Sequence, residues 1–440
     1  MNPLTINNYT QKKIKVSFYS KLRAVAYINI LTVQMSFFSI LAVLGLSYGG
    51  SGESSLYIYV LIASSVVCYI FLFMDLIMYR YINKHSLFLL GIPFLVILVY
   101  IISGVFTEFT NKTMSIFILL VMPSMLVGYV LAVKREITIL RRGFVYVSLL
   151  IALGIFSSLN LLITAGHTEL STVFGGGQYQ ALSYFSSFGY SALLVNFLFF
   201  RKKKSILISA LYLIIFTVLI LGVVFSGGRG GAVVVIVSTL VLTIIKFGYK
   251  SSILKVLLIV TSTILILILI QDYDIFDRIM RGGSRLFSYI SKGGIDVSQS
   301  SNRDIVWEHS LFHIKENWLF GYGPFSYEKA LGDSFYPHNL FLDFLLHGGV
   351  LYLLLWANIL VRHFKKIRKI IKINIKEVIV LIPFLNSFIL LMFSGTYLQE
   401  GLFWFSIMYV FSLNLKKVNN KLQINTLNEN IGSNFRVPEP

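Results

Sequence analysis

The chain has 440 residues, of which 56% are apolar and 13% charged, and its formal net charge is +19. A mean hydropathy of +0.78 excludes an ordinary soluble domain, and a single cysteine, Cys68, excludes an intramolecular disulfide. The basic surplus falls in blocks between apolar runs, which argues against nucleic-acid binding and for a membrane protein in contact with anionic lipid headgroups.

A membrane span needs roughly 20 mostly apolar residues. Twelve runs qualify, near 24–46, 56–78, 87–105, 114–133, 144–165, 182–200, 206–225, 232–248, 253–270, 342–361, 378–395 and 400–415. The expected fold is therefore all-α, a polytopic bundle of about 12 spans with one long extracytoplasmic loop. Residues 1–23 form an N-terminal segment, 24–270 hold spans one to nine, 271–341 form the loop, 342–415 hold spans ten to twelve, and 416–440 are a tail. The first run is too long for a secretory leader and lacks a small-residue cleavage site. No internal repeat is evident, which weighs against a transporter built from duplicated halves. The tail beyond Lys421 is polar and Asn-rich and is expected to be disordered.

Lysine and arginine mark every second connection. Lys12, Lys13, Lys15, Lys21 and Arg23 precede the first span. Later blocks lie at Arg80/Lys84, Lys134/Arg135/Arg141/Arg142, Arg201–Lys204, Lys246/Lys250/Lys255, Arg362–Lys376 and Lys416–Lys421. By the positive-inside rule these connections and both termini are cytoplasmic, and the intervening connections face out. Asp75 then lies toward the cytoplasmic end of span two, where a carboxylate can reach water.

The outward connections carry the chemistry. The one at 166–181 holds His167, Glu169 and Gly175–Gln180. Ser226-Gly-Gly-Arg-Gly-Gly231 follows, between spans seven and eight. The next helix starts there, and a helix N-terminus attracts anions. Glycines let a ligand approach the backbone, and Arg229 adds a planar cationic fork suited to phosphate. The other reading is a tight turn whose arginine sits at the headgroup level.

A loop as long as 271–341 is usually functional. Within it, Ser301-Asn-Arg-Asp304 fits a capping box opening a helix over about 302–320. Trp307, Leu311, Ile314 and Trp318 fall at steps of 4, 3 and 4 and make one apolar stripe for packing. Arg303 stands at the positive end of this helix, where it either meets an anion or pairs with Asp304 or Glu308. Tyr336-Pro-His-Asn339 closes the loop. His338 can accept a proton near neutral pH or be a plain interfacial histidine. Asn339, Asp343 and His347 follow at i, i+4 and i+8, as a packing stripe or as a support for His338. Should His338 not be the base, His167 and Glu328 are the next candidates. Two weaker signals are Asp272-Tyr-Asp274 and the His309/His313 pair with Glu316 as a third ligand. Neither has the spacing of a strong metal motif.

Together these segments resemble the O-antigen polymerase and O-antigen ligase family of bacterial membrane enzymes. The resemblance is carried by Ser226-Gly-Gly-Arg-Gly230, Asn302-Arg303-Asp304, Trp307, Gly321-Tyr-Gly-Pro-Phe325, His338-Asn339, Leu342-Asp343 and Gly348-Gly349. It is specific over about 225–350 and topological elsewhere. It implies a GT-C-like helix bundle that moves a glycan from undecaprenyl diphosphate to an acceptor hydroxyl at the outer face of the cytoplasmic membrane. Arg229 and Arg303 would hold the diphosphate and His338 would activate the acceptor. Trp307, Tyr322 and Asn339 are candidate substrate-binding residues. No cofactor or metal is expected. The implied partners are lipid-linked donor and acceptor, membrane lipids, a chain-length regulator and a flippase. A polymerase of repeat units is the expected member, a ligase to lipid A core the nearest alternative, and a flippase or exporter the alternative of another class.

Overall fold

The computed structural model describes residues 3–46, 54–78, 84–104, 106–164, 174, 179–200, 205–248, 303–324 and 336–414. His167, Glu169, Asp272, Asp274, Ser301, Asn302, Glu328, span nine and the C-terminal tail lie outside the described residues, as do the side chains of Arg303 and Asp304. Among the described residues every regular element is helical. An apolar run in lipid must satisfy its own backbone, and a helix does so within one segment.

The elements are α1 (Pro3–Val43), α2 (Ser54–Met78), α3 (Lys84–Ser103), α4 (Glu108–Lys134), α5 (Ile137–Ser157), α6 (Tyr179–Val195), α7 (Ile206–Ser226), α8 (Arg229–Phe247), α9 (Arg303–Glu316), α10 (Leu340–Ile373), α11 (Leu381–Phe393) and α12 (Gly401–Ser412). Nine described segments are long and apolar enough to cross a membrane, the last of them Ile375–Phe393, while Leu89–Ile102 of α3 and α12 are shorter apolar helices. The chain is an integral membrane protein. Eleven of the twelve expected runs are thus helical, and the twelfth, 253–270, is outside the described residues.

The lysine and arginine pattern has a counterpart in packing. The middle of α1, around Arg23, the ends of α2 and α4 and the start of α5 meet at one end of the bundle, hereafter the basic end. Asp75 is buried there rather than open to water, which corrects the sequence reading. Its carboxylate takes Lys134 Nζ at 2.7 Å, Arg23 Nη1 at 3.3 Å and the Tyr27 hydroxyl at 2.7 Å, and Arg23 Nη2 reaches Glu136 at 2.5 Å. Removing one partner of such a buried cluster strands the rest. Asp75→Asn should cost about 3–5 kcal/mol, read as a lowered unfolding midpoint of the detergent-solubilised protein. A midpoint unchanged from wild type would show that water already screens the cluster.

Helices α4 and α10 break their own ladders, and in each the freed backbone finds partners. A π-helical turn, Phe117–Val121, interrupts α4. The Tyr69 hydroxyl bonds to the carbonyl of Ile118 at 2.6 Å, and Ser65 bonds to that of Leu119. Span ten, expected to be continuous, is broken at Gly348–Gly349. The carbonyls of Leu346 and His347 turn to accept from Tyr322 N at 2.7 Å and Gly323 N at 2.9 Å, and Val350 N donates to the Trp318 carbonyl at 2.8 Å. Only glycine fits this splice. Gly321 and Gly349 both have positive φ, +64° and +62°, and a Cβ on Gly349 would lie 2.3 Å from the Leu319 carbonyl group. The Gly321-Tyr-Gly323 and Gly348-Gly349 motifs are therefore two halves of one backbone joint.

Candidate functional site

The arginine turn comes first in the chain. Helix α7 ends on Gly227 in the left-handed region, φ +60°, and α8 begins two residues later at Arg229. The N-cap of α8 is Gly228, which has no side chain to bond the first N–H groups, and a helix N-terminus attracts anions. Arg229 is half-buried at that end. The neighbouring glycines have a different task from the one expected. A Cβ on Gly228 or Gly231 would lie within 2.3 Å of Ser183 side-chain atoms, and one on Gly230 within 1.9 Å of the Tyr184 hydroxyl. They let α6 press against the turn, and Ser183 Oγ locks it by donating to the Gly228 carbonyl at 2.7 Å. A ligand would meet Arg229 and the helix end, not these filled glycine positions.

The second assembly is built by α9 and the start of α10. Helix α9 opens at Arg303 and ends at Glu316, with a turn through Phe320 in place of the expected last helical turn. Its packed face is narrower than the predicted stripe. Ser310 and Ile314 are buried and Trp307 is half-buried, but Leu311 and Trp318 are 48% and 57% exposed. Ile314 packs on Leu346 of α10, with Leu342, Leu345 and Tyr322 around them. Trp307 Nε1 donates to the Pro337 carbonyl at 2.8 Å, which ties the loop before α10 to α9. Arg303 stands one turn before Trp307 in the same helix.

His338 follows Pro337 and is one of two described non-glycine residues with positive φ, at +51°. That conformation costs roughly 1–2 kcal/mol for most side chains, and such outliers gather at functional sites. The imidazole packs edge-on against Tyr336 at 4.6 Å, and Tyr336 stacks on Phe109 of α4 at 6.3 Å. Burial raises the Tyr336 phenol, and the nearby charge of buried Asp343 raises it further. Asn339 is the N-cap of α10, its Oδ1 accepting from Phe341 N at 3.0 Å and Leu342 N at 3.2 Å. It is thus committed to the helix end, which leaves its amide NH2 as the group able to meet a substrate. Asp343 and His347 continue inward as buried residues, and His347 Nδ1 lies 2.8 Å from the Tyr397 hydroxyl.

The remaining candidates separate from this corner. Tyr322 donates to Glu316 Oε2 at 2.9 Å, and His313 Nδ1 lies 3.1 Å from the same oxygen. These two bonds hold the Glu316 carboxyl below its usual range. His313 is thereby turned to a carboxylate on its own helix, and among the described residues no three His, Cys, Asp or Glu groups come together.

One acidic residue escaped the sequence reading. Glu400 looked like the first residue of span twelve, but it is the N-cap of α12, at the end of the connection from Ser394. With Gln399, Asn386 and Tyr184 it lines a cavity of about 70 Å³. Tyr184 is the residue whose hydroxyl fills the space over Gly230, so the cavity lies one side chain from the arginine turn. Its signal was a lone acid between two apolar runs. Burial pushes the Glu400 carboxyl up to about 7, against the weaker opposite pull of the Leu402 N–H. Between about 4.5 and about 7 the folded protein then holds more protons than the unfolded chain, so this group's contribution to stability falls as pH rises through that window. Glu400→Gln should abolish that slope. Its unfolding midpoint should match wild type near pH ~5 and exceed it near pH ~8. An identical pH profile in the variant would place the titration elsewhere.

No curated protein matches the chain. A family match does cover about one third of it, and that third holds both assemblies. Residues 213–357, from α7 through the Gly348–Gly349 break, match the family described as O-antigen ligase.

Proposed function

We propose that the protein polymerises lipid-linked oligosaccharide repeat units, moving a glycan from undecaprenyl diphosphate to a sugar hydroxyl at the outer face of the cytoplasmic membrane. The family match supports glycosyl transfer of the ligase and polymerase type. Two features support the mechanism. One is the N-terminus of α8, which has glycine as its N-cap and bears Arg229. The other is a strained His338 held by α4, α9 and α10.

In this reading the acceptor hydroxyl attacks the anomeric carbon of the donor glycan, and the bond from that carbon to the diphosphate oxygen breaks. His338 takes the hydroxyl proton. The diphosphate leaves with its negative charge held by Arg229, Arg303 and the two helix N-termini behind them. Trp307 and the Asn339 amide would meet the sugars. A donor tethered in lipid explains a site at the membrane surface, and a flippase and a chain-length regulator are the partners such a reaction calls for.

The family description favours a second reading within the same chemistry, a ligase that passes finished polymer to lipid A core or another acceptor. The glycan made by a deletion strain separates the two. Single-repeat products mean a polymerase was lost, and free lipid-linked polymer means a ligase was lost. The flippase reading calls for charges lining a central cavity. Among the described residues the buried charges instead lie near the ends of spans, Arg23, Asp75 and Glu377 toward the basic end and Asp343 at the start of α10, with half-buried Glu400 at the start of α12.

A further inference from the structure

A groove runs between α1 and α5 at the basic end and encloses a cavity of about 620 Å³. Its mouth is flanked by Lys21 of α1 and Arg142 of α5, with Ser20 and Thr138 beside them. Both cations are exposed, and neither has an ion-pair partner among the described residues. The contrast with Arg23, two residues from Lys21, is informative. Arg23 turns inward to Asp75 and Glu136. Among the described residues no acidic side chain lines the groove.

Below the mouth the walls are apolar, from Ala24, Val25 and Ile28 on one side and Tyr146 and Val147 on the other. The polar residues deeper in the groove are already bonded within the protein. Asn29 donates to Ser64 at 2.8 Å, and Thr32 donates to the Ile28 carbonyl at 2.8 Å. What remains for an occupant is hydrocarbon surface. On α1 the lining below Lys21 runs from Ala24 to Ser36. At 1.5 Å per residue that is about 18 Å, a little more than half of the roughly 30 Å hydrocarbon core. Two cations at the headgroup level above an apolar slot one leaflet deep are complementary to an anionic phospholipid.

We propose that the α1–α5 groove is a binding site for an anionic phospholipid of the leaflet on the basic side. Lys21 and Arg142 hold its phosphate, and one acyl chain lies against Val25, Ile28 and Tyr146. The site lies at the end of the bundle opposite to His338 and does not depend on the proposed reaction.

The test is native mass spectrometry of the full chain in neutral detergent, with phosphatidylglycerol and phosphatidylcholine as probes. Wild type should retain phosphatidylglycerol in preference to phosphatidylcholine. Each cation near an anionic lipid is worth about 1 kcal/mol, so Lys21→Gln with Arg142→Gln should weaken retention about thirtyfold. Lys365→Gln with Lys369→Gln removes two other exposed cations of the basic end and should change it little. Ala24→Trp, which fills the slot while keeping both charges, should also lose the lipid. Three results would overturn the proposal. They are equal retention by wild type and the Lys21/Arg142 variant, equal loss in the Lys365/Lys369 variant, or preference of the groove for a polyprenyl diphosphate over phosphatidylglycerol. A variant that fails to fold is replaced by Lys21→Gln alone, for which retention should fall about fivefold.

Discussion

Alanine at Arg229 or Arg303 should lower glycan transfer about 10²–10³-fold, because each removes a cation from a leaving group that gains negative charge. The protein should stay inserted and folded, since Arg229 is only half-buried and the turn around it is held by Ser183 and the glycines. Lysine should rescue in part, as it offers a point charge in place of a two-pronged donor. Chelators should change the rate little if the guanidiniums supply the charge. Rates from purified variants with lipid-linked donor decide the matter. Full activity in both alanine variants, or strict dependence on an added divalent metal, would remove the arginines from the mechanism.

For His338 the expected loss on changing to alanine is roughly 10²–10⁴ in rate, with donor binding largely kept. An imidazole acts as a base only when neutral, so the wild-type rate should fall as pH drops through its titration. His338→Asn is the informative partner variant. Asparagine tolerates the left-handed backbone at this position and so keeps the geometry of the α10 N-terminus, but it cannot take the proton. It should be as poor as alanine and as stable as wild type. His338→Gln should also be poor. If His338→Ala loses donor binding as severely as Arg303→Ala, the imidazole is a phosphate ligand. If it transfers glycan normally, the base is another group, with Glu400, His167 and Glu328 the next to test.

Much of the architecture was legible because lipid imposes a simple grammar. Runs of apolar residues had to be helices, and the alternation of Lys/Arg blocks placed Arg23, Lys134 and the end of α2 at one end, where the structure joins them through Asp75. The motif residues were legible as a set, but their division of labour was not. Gly228, Gly230 and Gly231 could be read as room for a ligand because a sequence does not show which helix will press on them, and Ser183 and Tyr184 lie some 45 residues away. The break at Gly348–Gly349 was hidden for a similar reason. Its free carbonyls are satisfied by Tyr322 and Gly323, which periodicity within span ten cannot reveal. The stripe on α9 failed at Leu311 and Trp318 because one narrow contact, Ile314 on Leu346, sets the packed face. Glu400 was overlooked because a capping residue at a helix start looks like the first residue of a span.

The measurement that bears most directly on the central claim is reconstitution of the purified protein in vesicles with a labelled lipid-linked oligosaccharide as sole donor and acceptor. Lengthened lipid-linked glycan should appear, with one undecaprenyl diphosphate released for each linkage made, and both should vanish in the Arg303→Ala and His338→Ala proteins. Donor that only crosses the bilayer without covalent change, or lengthening that persists in both variants, would contradict the account.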